Sequence, residues 1–519
     1  MSVTAPVVPT VLHLHPEDNV SVATRTVPAG ASIPGPNGSE LVTKEKIDQG
    51  HKVCVRGIRK GEPIRKFGQT IGYATSDIEV GQWVHTHNVE AGQLSLDYAF
   101  ASAVPPDPQP ITGRTFMGYR RADGRAATRN YIGIVSTVNC SAATSKMVAA
   151  KFDPALLEAF PNVDGVIPLA HQTGCAMQYG GEDHLQLNRV LSGYAKHANI
   201  GAYVVLGLGC ETAQGSFLAE KNGLVQIQLP NANKDMPLVM NIQDLGGIAK
   251  TVKRVTEIIK EMLPEVNKIQ RQPIPASELI LGLNCGGSDG NSGVTANPAL
   301  GIAGDMLVAC GGTSVLAETP EIYGGEHLLT RRARTREIGE KLVERIKWWE
   351  KYTAFFGAEI NNNPSVGNKK GGLTTIYEKS LGAIAKGGQA PLNAVYRYAE
   401  PITTKGFCFM DTPGYDPASV TGLVAGGCNI VIFTTGRGSC LGSKPAPTIK
   451  VATNTPMYER MVDDMDLNAG TVLDGVPLEE VGREIFEKMI SVASGEKTKS
   501  EAQGIGDEEF VPWSIGPTL

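Results

Sequence analysis

Apolar residues in this chain gather in short runs, and many of those runs stop at a glycine or a polar cluster. Seven follow one plan: YIGIVSTVNC, GVIPLAHQTGC, YVVLGLGC, LILGLNCGGSD, TSVLAETPE, GFCFMDTPG and NIVIFTTGRG. Short uninterrupted apolar runs of this kind suit buried parallel strands. Between several of them the spacing changes to that of amphipathic helices, as in KTVKRVTEIIKEMLPEVNK and EKLVERIKWWEKYTAFF. Strands alternating with helices predict parallel α/β layers. Residues 11–90 differ: VLHLH, SVATRTV, KVCVRGI, IGYATS and QWVHTHNV predict a small β-rich unit with turns at IPGPNGSE and RKGEP.

The proline-rich stretch ASAVPPDPQPITG (101–113) predicts a stiff, extended linker after that unit. A second boundary falls near RQPIPASE (271–278). The expected organisation is a β unit over 1–100, the linker 101–113, an α/β unit over 114–272 and a second α/β unit over 273–519.

Composition narrows the function. A chain of 519 residues with 19% charged residues and a net charge of −5 has an ordinary globular make-up. Without a basic stripe or a long apolar span, it predicts no nucleic-acid partner and no membrane partner. The N-terminus MSVTAPVVPTVLHLHPEDN has no leader pattern, and none of the nine cysteines forms a C-x-x-C pair, so a cytoplasmic location without a disulfide framework is expected. A small-molecule ligand and a homo-oligomer, a dimer, complete the expectation.

The chemistry sits where apolar runs end, since ligands of open α/β sheets bind at the carboxyl ends of strands. LILGLN stops at Cys285 and breaks into Gly286, Gly287, Ser288 and Asp289, while Asn297 before Pro298 predicts a helix N-cap. Other strand ends carry Cys140, His171 with Cys175, Cys210 with Glu211, Glu318 with Glu321, and Thr434, Thr435 and Arg437. Cys175, Cys210 and Cys285 stand beside glycines, where a ligand can approach the backbone. Arg437 can grip a carboxylate with a planar donor fork, and Lys444 adds a point charge. In the β unit, His13 with His15 and His85 with His87 share strand faces if both pairs are extended, and such pairs suit a divalent metal. The basic loop NPSVGNKKGGLTT lacks the spacing of a nucleotide-binding loop, and GLGCET stops one glycine short of a dinucleotide fingerprint.

HPEDNVSVA, GHKV and GQTIGYA, then GYRRADGRAATRN, HQTGC, GLGCE, CGGSDGNSGVTANP, NPSVGNKKGG, FTTGRG, KVATN and DLNAG, resemble the altronate/galactarate dehydratase family of sugar-acid dehydratases. The likeness runs in order along nearly the whole chain. VHTHN resembles the altronate branch, KKGGL the galactarate branch, and a sulfolactate sulfo-lyase branch shares the core motifs. The resemblance implies an N-terminal β-clip (SAF-type) domain, Rossmann-like α/β layers, and elimination of water from a sugar acid with Fe(II), or Mn(II) in its place. It makes His15 a metal or substrate ligand, followed by His51 and His87. With the strand-end inventory, the expected roles are these. His171, Lys444 and Glu318 are catalytic, with His171 as the base. Cys285, Ser288, Asp289, Asn297, Thr435 and Arg437 bind substrate. His15, His87, Cys175 and Cys210 hold metal. Three readings compete: an iron–sulfur cluster on Cys175, Cys210 and Cys285, a sulfo-lyase, and a non-catalytic sugar-acid sensor.

Overall fold

Tight turns cut the first ninety residues into strands too short for one broad sheet, and they fold as three small antiparallel sheets. The computed structural model describes residues 9–225 and 238–519; residues 1–8, which open the N-terminal stretch read above for a leader pattern, lie outside it. The strands Val20–Ala23 and Lys52–Cys54 form the centre of a four-stranded sheet, flanked by Val11–Leu12 and Trp83–Val84. Strand Gln69–Ala74 centres a three-stranded sheet beside it. Both histidine pairs lie beyond their strands, because pairing stops at Leu12 and at Val84. His85 is buried and stacks on Trp83 at 4.9 Å, while His87 is exposed on the same ring at 5.0 Å. They share no strand face.

Residues 101–113 take no regular structure and run along the C-terminal domain through Ala103 N to Arg331 O (2.9 Å) and Ile111 N to Ala309 O (2.9 Å). The next domain is a parallel sheet of β1 (Tyr131–Ser136), β2 (Gly165–Leu169), β3 (Ile200–Gly207) and β4 (Val239–Asn241), in the order β2-β1-β3-β4. Its main helices are α1 (Asn139–Ala149), α2 (Glu182–Ala195) and α3 (Ile248–Asn267). All eight residues of β3 are buried, which is why the sequence shows a continuous apolar run there. The segments entering and leaving this domain, Thr115–Arg120 and Arg271–Pro275, pair antiparallel.

The C-terminal domain is built on a seven-stranded parallel sheet in the order β7-β8-β6-β5-β9-β10-β11. Its strands are β5 (Ile280–Cys285), β6 (Thr313–Leu316), β7 (Leu392–Tyr396), β8 (Gly406–Met410), β9 (Ile430–Thr435), β10 (Thr448–Ala452) and β11 (Leu467–Asn468). Helices α4 (Ala296–Ala309), α5 (Arg336–Phe355), α6 (Ile376–Ile384), α7 (Asp416–Gly426) and α8 (Leu478–Ala493) cover it. α4 begins after Thr295, so Asn297 lies inside the helix rather than capping it. The Asn297 side chain instead accepts from Thr434 Oγ1 at 2.6 Å and donates to Gly382 O at 2.8 Å.

The first domain is fastened to this sheet by buried charge. Glu378, on α6, accepts hydrogen bonds from Lys52 Nζ at 2.9 and 3.0 Å and from Lys66 Nζ at 2.9 Å. All three side chains are at most 2% exposed. Lys52 also donates to Gly372 O at 2.7 Å, and Thr374 caps the other carboxylate oxygen at 2.7 Å. Burial alone would raise the Glu378 carboxyl, but the two ammonium groups outweigh it and hold it well below the usual carboxylate range. Breaking such a pair strands a buried charge. Glu378→Gln should therefore cost about 3–5 kcal/mol in urea unfolding, and a loss under 1 kcal/mol would show that the two lysines do not depend on it.

Candidate active site

β5 and β6 lie side by side at the middle of the large sheet, and their carboxyl ends carry acids and a thiol. Cys285 is the last residue of β5; Glu318 and Glu321 follow β6. Cys285 Sγ lies 3.4 Å from Glu321 Oε2, and Cys285 N donates to Glu318 Oε2 at 3.0 Å. Helix α6 and the turn after it bring two lysines from behind: Lys379 Nζ donates to Glu321 Oε1 and Lys386 Nζ to Glu318 Oε2, each at 2.6 Å. Asn363 completes the network, accepting from Lys379 at 2.8 Å and donating to Glu321 at 3.1 Å. Glu318, Glu321 and Lys386 are fully or almost fully buried.

The backbone at Glu318 is in the left-handed region, φ +69° and ψ +64°. That conformation is costly for a residue other than glycine and is found where surrounding structure enforces it, often at working sites. Glu318 N donates to Thr412 Oγ1 at 2.8 Å, one of the contacts that hold the turn. Burial raises the Glu318 carboxyl against the opposing pull of Lys386, whereas for Glu321 the two lysines overcome burial and lower it. Burial also pushes the Cys285 thiol up. Asp416, at the start of α7, is raised to about 8 by burial and by the neighbouring Glu318 and Glu321, so it is protonated at neutral pH. Its carboxyl covers Gly286, where a Cβ would lie 2.1 Å from Asp416 Oδ2. Gly287 turns with φ +59°. The two glycines after Cys285 thus make room for an acid and for a bend. A cleft of about 440 Å³ opens onto the group past Gly286, Gly287, Glu321, Asn363, Lys379 and Asp416.

Of the residues expected from sequence, Cys285 and Glu318 stand in this cluster, and Ser288 is close by, buried, with an Oγ that has no hydrogen-bond partner among the described residues. Arg437 is exposed, beside Gly287, and joins no ion pair among the described residues. Asp289, Asn297 and Thr435 are spent on the loops themselves. Asp289 accepts from Thr453 Oγ1 at 3.0 Å and from Ser292 Oγ at 3.1 Å, and Thr435 Oγ1 accepts from Gly438 N at 3.0 Å. His171 is corrected as a base. It is buried at the edge of the second domain's sheet, its Nε2 bonded to Ser136 O at 2.9 Å and its Nδ1 accepting from Thr173 N at 3.2 Å, so no ring lone pair is free. Lys444 pairs with Asp507 at 2.9 Å, away from the cluster. His15 is exposed and its Nδ1 accepts from Glu17 N. His15, His87, Cys175 and Cys210 form no three-donor group; among the described residues only Cys285, Glu318 and Glu321 bring their donor atoms within 4.8 Å of one another. Lys379, Lys386 and Asp416 were missed from sequence, because a lysine in a helix and an acid opening one look like solvated surface.

Three family models cover the chain: Altronate/galactarate dehydratase SAF domain over residues 9–92, D-galactarate dehydratase/Altronate hydrolase second domain over 118–267, and D-galactarate/Altronate dehydratase C-terminal over 276–518. The chain is 36% identical to the altronate dehydratase of Bacillus subtilis, covering 98% of this chain and 99% of that protein. It is 38% identical to the galactarate dehydratase (L-threo-forming) of Escherichia coli, covering 96% and 95%. The (2R)-sulfolactate sulfo-lyase subunit beta of Chromohalobacter salexigens is 31% identical and covers 77% of this chain. The chain is therefore a hydro-lyase, a carbon–oxygen lyase, and its first domain is of the SAF type. The chain belongs to the altronate/galactarate dehydratase family.

Arg437, exposed beside Gly287, yields a prediction. Arg437→Lys keeps the charge but loses the planar fork. A charge-assisted hydrogen bond contributes about 1.5–3 kcal/mol, so kcat/KM should fall roughly ten- to hundredfold while the melting temperature stays at the wild-type value. Wild-type kinetics would remove Arg437 from the site.

Proposed function

We propose that the chain dehydrates a hexonate or hexarate such as D-altronate or D-galactarate to a 2-keto-3-deoxy acid, at the cluster of Cys285, Glu318, Glu321, Lys379, Lys386 and Asp416. The carrying observation is that this chain, similar end to end to dehydratases of both acids, places paired acids and lysines at the carboxyl end of its central strands. Glu321, whose carboxyl the two lysines lower, takes the proton next to the substrate carboxylate, and the enolate so formed needs positive charge close by. Lys379 and Lys386 supply it, fixed in place by Glu321 and Glu318. Asp416 carries the proton that the departing β-hydroxyl requires. The enol left after water departs then tautomerises to the keto acid. Arg437 takes a substrate carboxylate at the mouth, and Ser288 Oγ bonds a hydroxyl.

A divalent ion, Fe(II) with Mn(II) as a substitute, fits the donor set. Glu318 Oε1 is buried without a partner among the described residues, and Glu318, Glu321 and Cys285 each bring a donor atom within 4.8 Å of the other two. Such an ion polarises a substrate oxygen as a Lewis acid. The nine free cysteines suit a reducing compartment, and we assign the protein to the cytoplasm.

A panel of hexonates and hexarates, assayed for 2-keto acid with added Fe(II), tests the substrate. Turnover of one altronate- or galactarate-like stereoisomer is expected; sulfite release from sulfolactate without dehydration of any panel member would overturn it. Chelation should abolish turnover and Fe(II) should restore it, and full activity in a sample shown metal-free by elemental analysis would remove the ion. Asp416→Asn should lower kcat by about a hundredfold or more, the usual worth of a general acid, with unchanged melting; a loss under threefold would reassign the proton donor.

A further inference from the structure

Three exposed thiols share one edge of the second domain and take no part in the site above: Cys140, Cys175 and Cys210. Cys140 is the second residue of α1, directly after β1; Cys175 closes the loop after β2; Cys210 follows β3. These three strands are parallel neighbours, so the cysteines leave the same carboxyl edge. Their loops are bonded to one another. Asn139 N donates to Thr173 O and Ala213 N to Gly174 O, both at 2.9 Å, and Thr137 Oγ1 donates to Glu211 Oε1 at 2.6 Å. Asn139, Gly174 and Glu211 are each adjacent in sequence to one of the cysteines. Gly174 has φ +101°, and a Cβ there would lie 2.2 Å from Thr137 O, so only glycine lets these loops close up.

We propose that Cys140, Cys175 and Cys210 hold a [4Fe–4S] cluster. Spacing separates this from a single ion. A tetrahedral ion with sulfur ligands at about 2.3 Å draws its thiolates to roughly 4 Å of one another. No such group of three includes these cysteines, since among the described residues their sulfurs do not all lie within 4.8 Å. A cubane places each thiolate on a different iron and so spans a wider triangle. Cys140 adds a second element: it sits in the first turn of an eleven-residue helix whose N-cap, Val138, offers no side-chain cap. The positive end of the helix dipole there favours the negative charge of a thiolate-bound cluster. Cys285, on the other sheet and buried with Glu318 and Glu321, is not a member. With His171 bonded at both ring nitrogens, the fourth iron takes its ligand from solvent.

The test uses the full-length protein purified without oxygen and reconstituted with Fe(II), sulfide and a thiol. A brown protein with about four acid-labile sulfides per chain and an electron paramagnetic resonance signal on reduction is expected. Replacing Cys140, Cys175 and Cys210 with Ser together should cut sulfide roughly tenfold or more, to background, as expected when all protein ligands go, while Cys440→Ser retains it. If the triple variant fails to fold, alkylation decides instead: in the reconstituted wild type Cys140, Cys175 and Cys210 resist iodoacetamide while exposed Cys440 reacts. Absence of sulfide in the reconstituted wild type, sulfide retained by the folded triple variant, or equal alkylation of all four thiols would each overturn the proposal. Dehydratase activity is not the readout, so the result is independent of the substrate assignment.

Discussion

Two lysines of the SAF domain converge on one carboxylate of the C-terminal domain, and the strand-end cluster leans on the helix that carries it. Glu378 and Lys379 are consecutive on α6. One side chain reaches back to Lys52 and Lys66, and the next reaches forward to Glu321. Whatever fixes Glu378 therefore also fixes Lys379, and with it the position of the acid at the carboxyl end of β6. A buried charge tolerates little play, because each lost contact leaves an unpaired ion in a medium that solvates it poorly. The first domain acts on the cluster at one remove: among the described residues it supplies none of the three clustered donors, yet it sets where Lys379 stands.

The cluster has the charge pattern that such chemistry requires. Glu318 and Glu321 are each neutralised by their own lysine, so the buried group is balanced without substrate. Asp416, added next to two acids, is left protonated. The site thus holds cations and a proton donor together, a combination that water would dissipate and burial preserves.

The fold was largely legible from sequence because both parallel sheets bury their strands on two faces. All seven long apolar runs became strands, each ending where its polar cluster begins. Strands outside that rule escaped notice: β10 is short and interrupted by the buried Lys450, and β7 lies at the sheet edge with a half-exposed centre. The site was legible in part for the same reason. Cys285 and Glu318 sit at strand ends, where the sequence marks them, whereas Lys379, Lys386 and Asp416 arrive from helices and turns that only the three-dimensional crossing order brings together. The histidines misled because HLH and HTH alternate like strands, while pairing actually stops at Leu12 and Val84. In the polar loop after Cys285, Asp289 is occupied with Thr453 and Ser292, while Ser288 Oγ has no partner among the described residues.

The pairing of Thr115–Arg120 with Arg271–Pro275 brings the two ends of the middle domain together. A unit whose entrance and exit are adjacent occupies a single point in the path of the chain, so the last domain resumes where the middle one began. The catalytic sheet begins only at Ile280, and the linker from the first domain is already anchored to it at Ala103 and Ile111. The middle domain thus joins the chain through a two-stranded neck, yet it shares one apolar core with the last domain through Tyr131, Leu191, Val424 and Phe433, and a buried Arg129–Glu501 ion pair crosses the same seam. Lifting either domain off the other would strip both of core, so the neck fixes where the chain enters and the seam fixes what stays together.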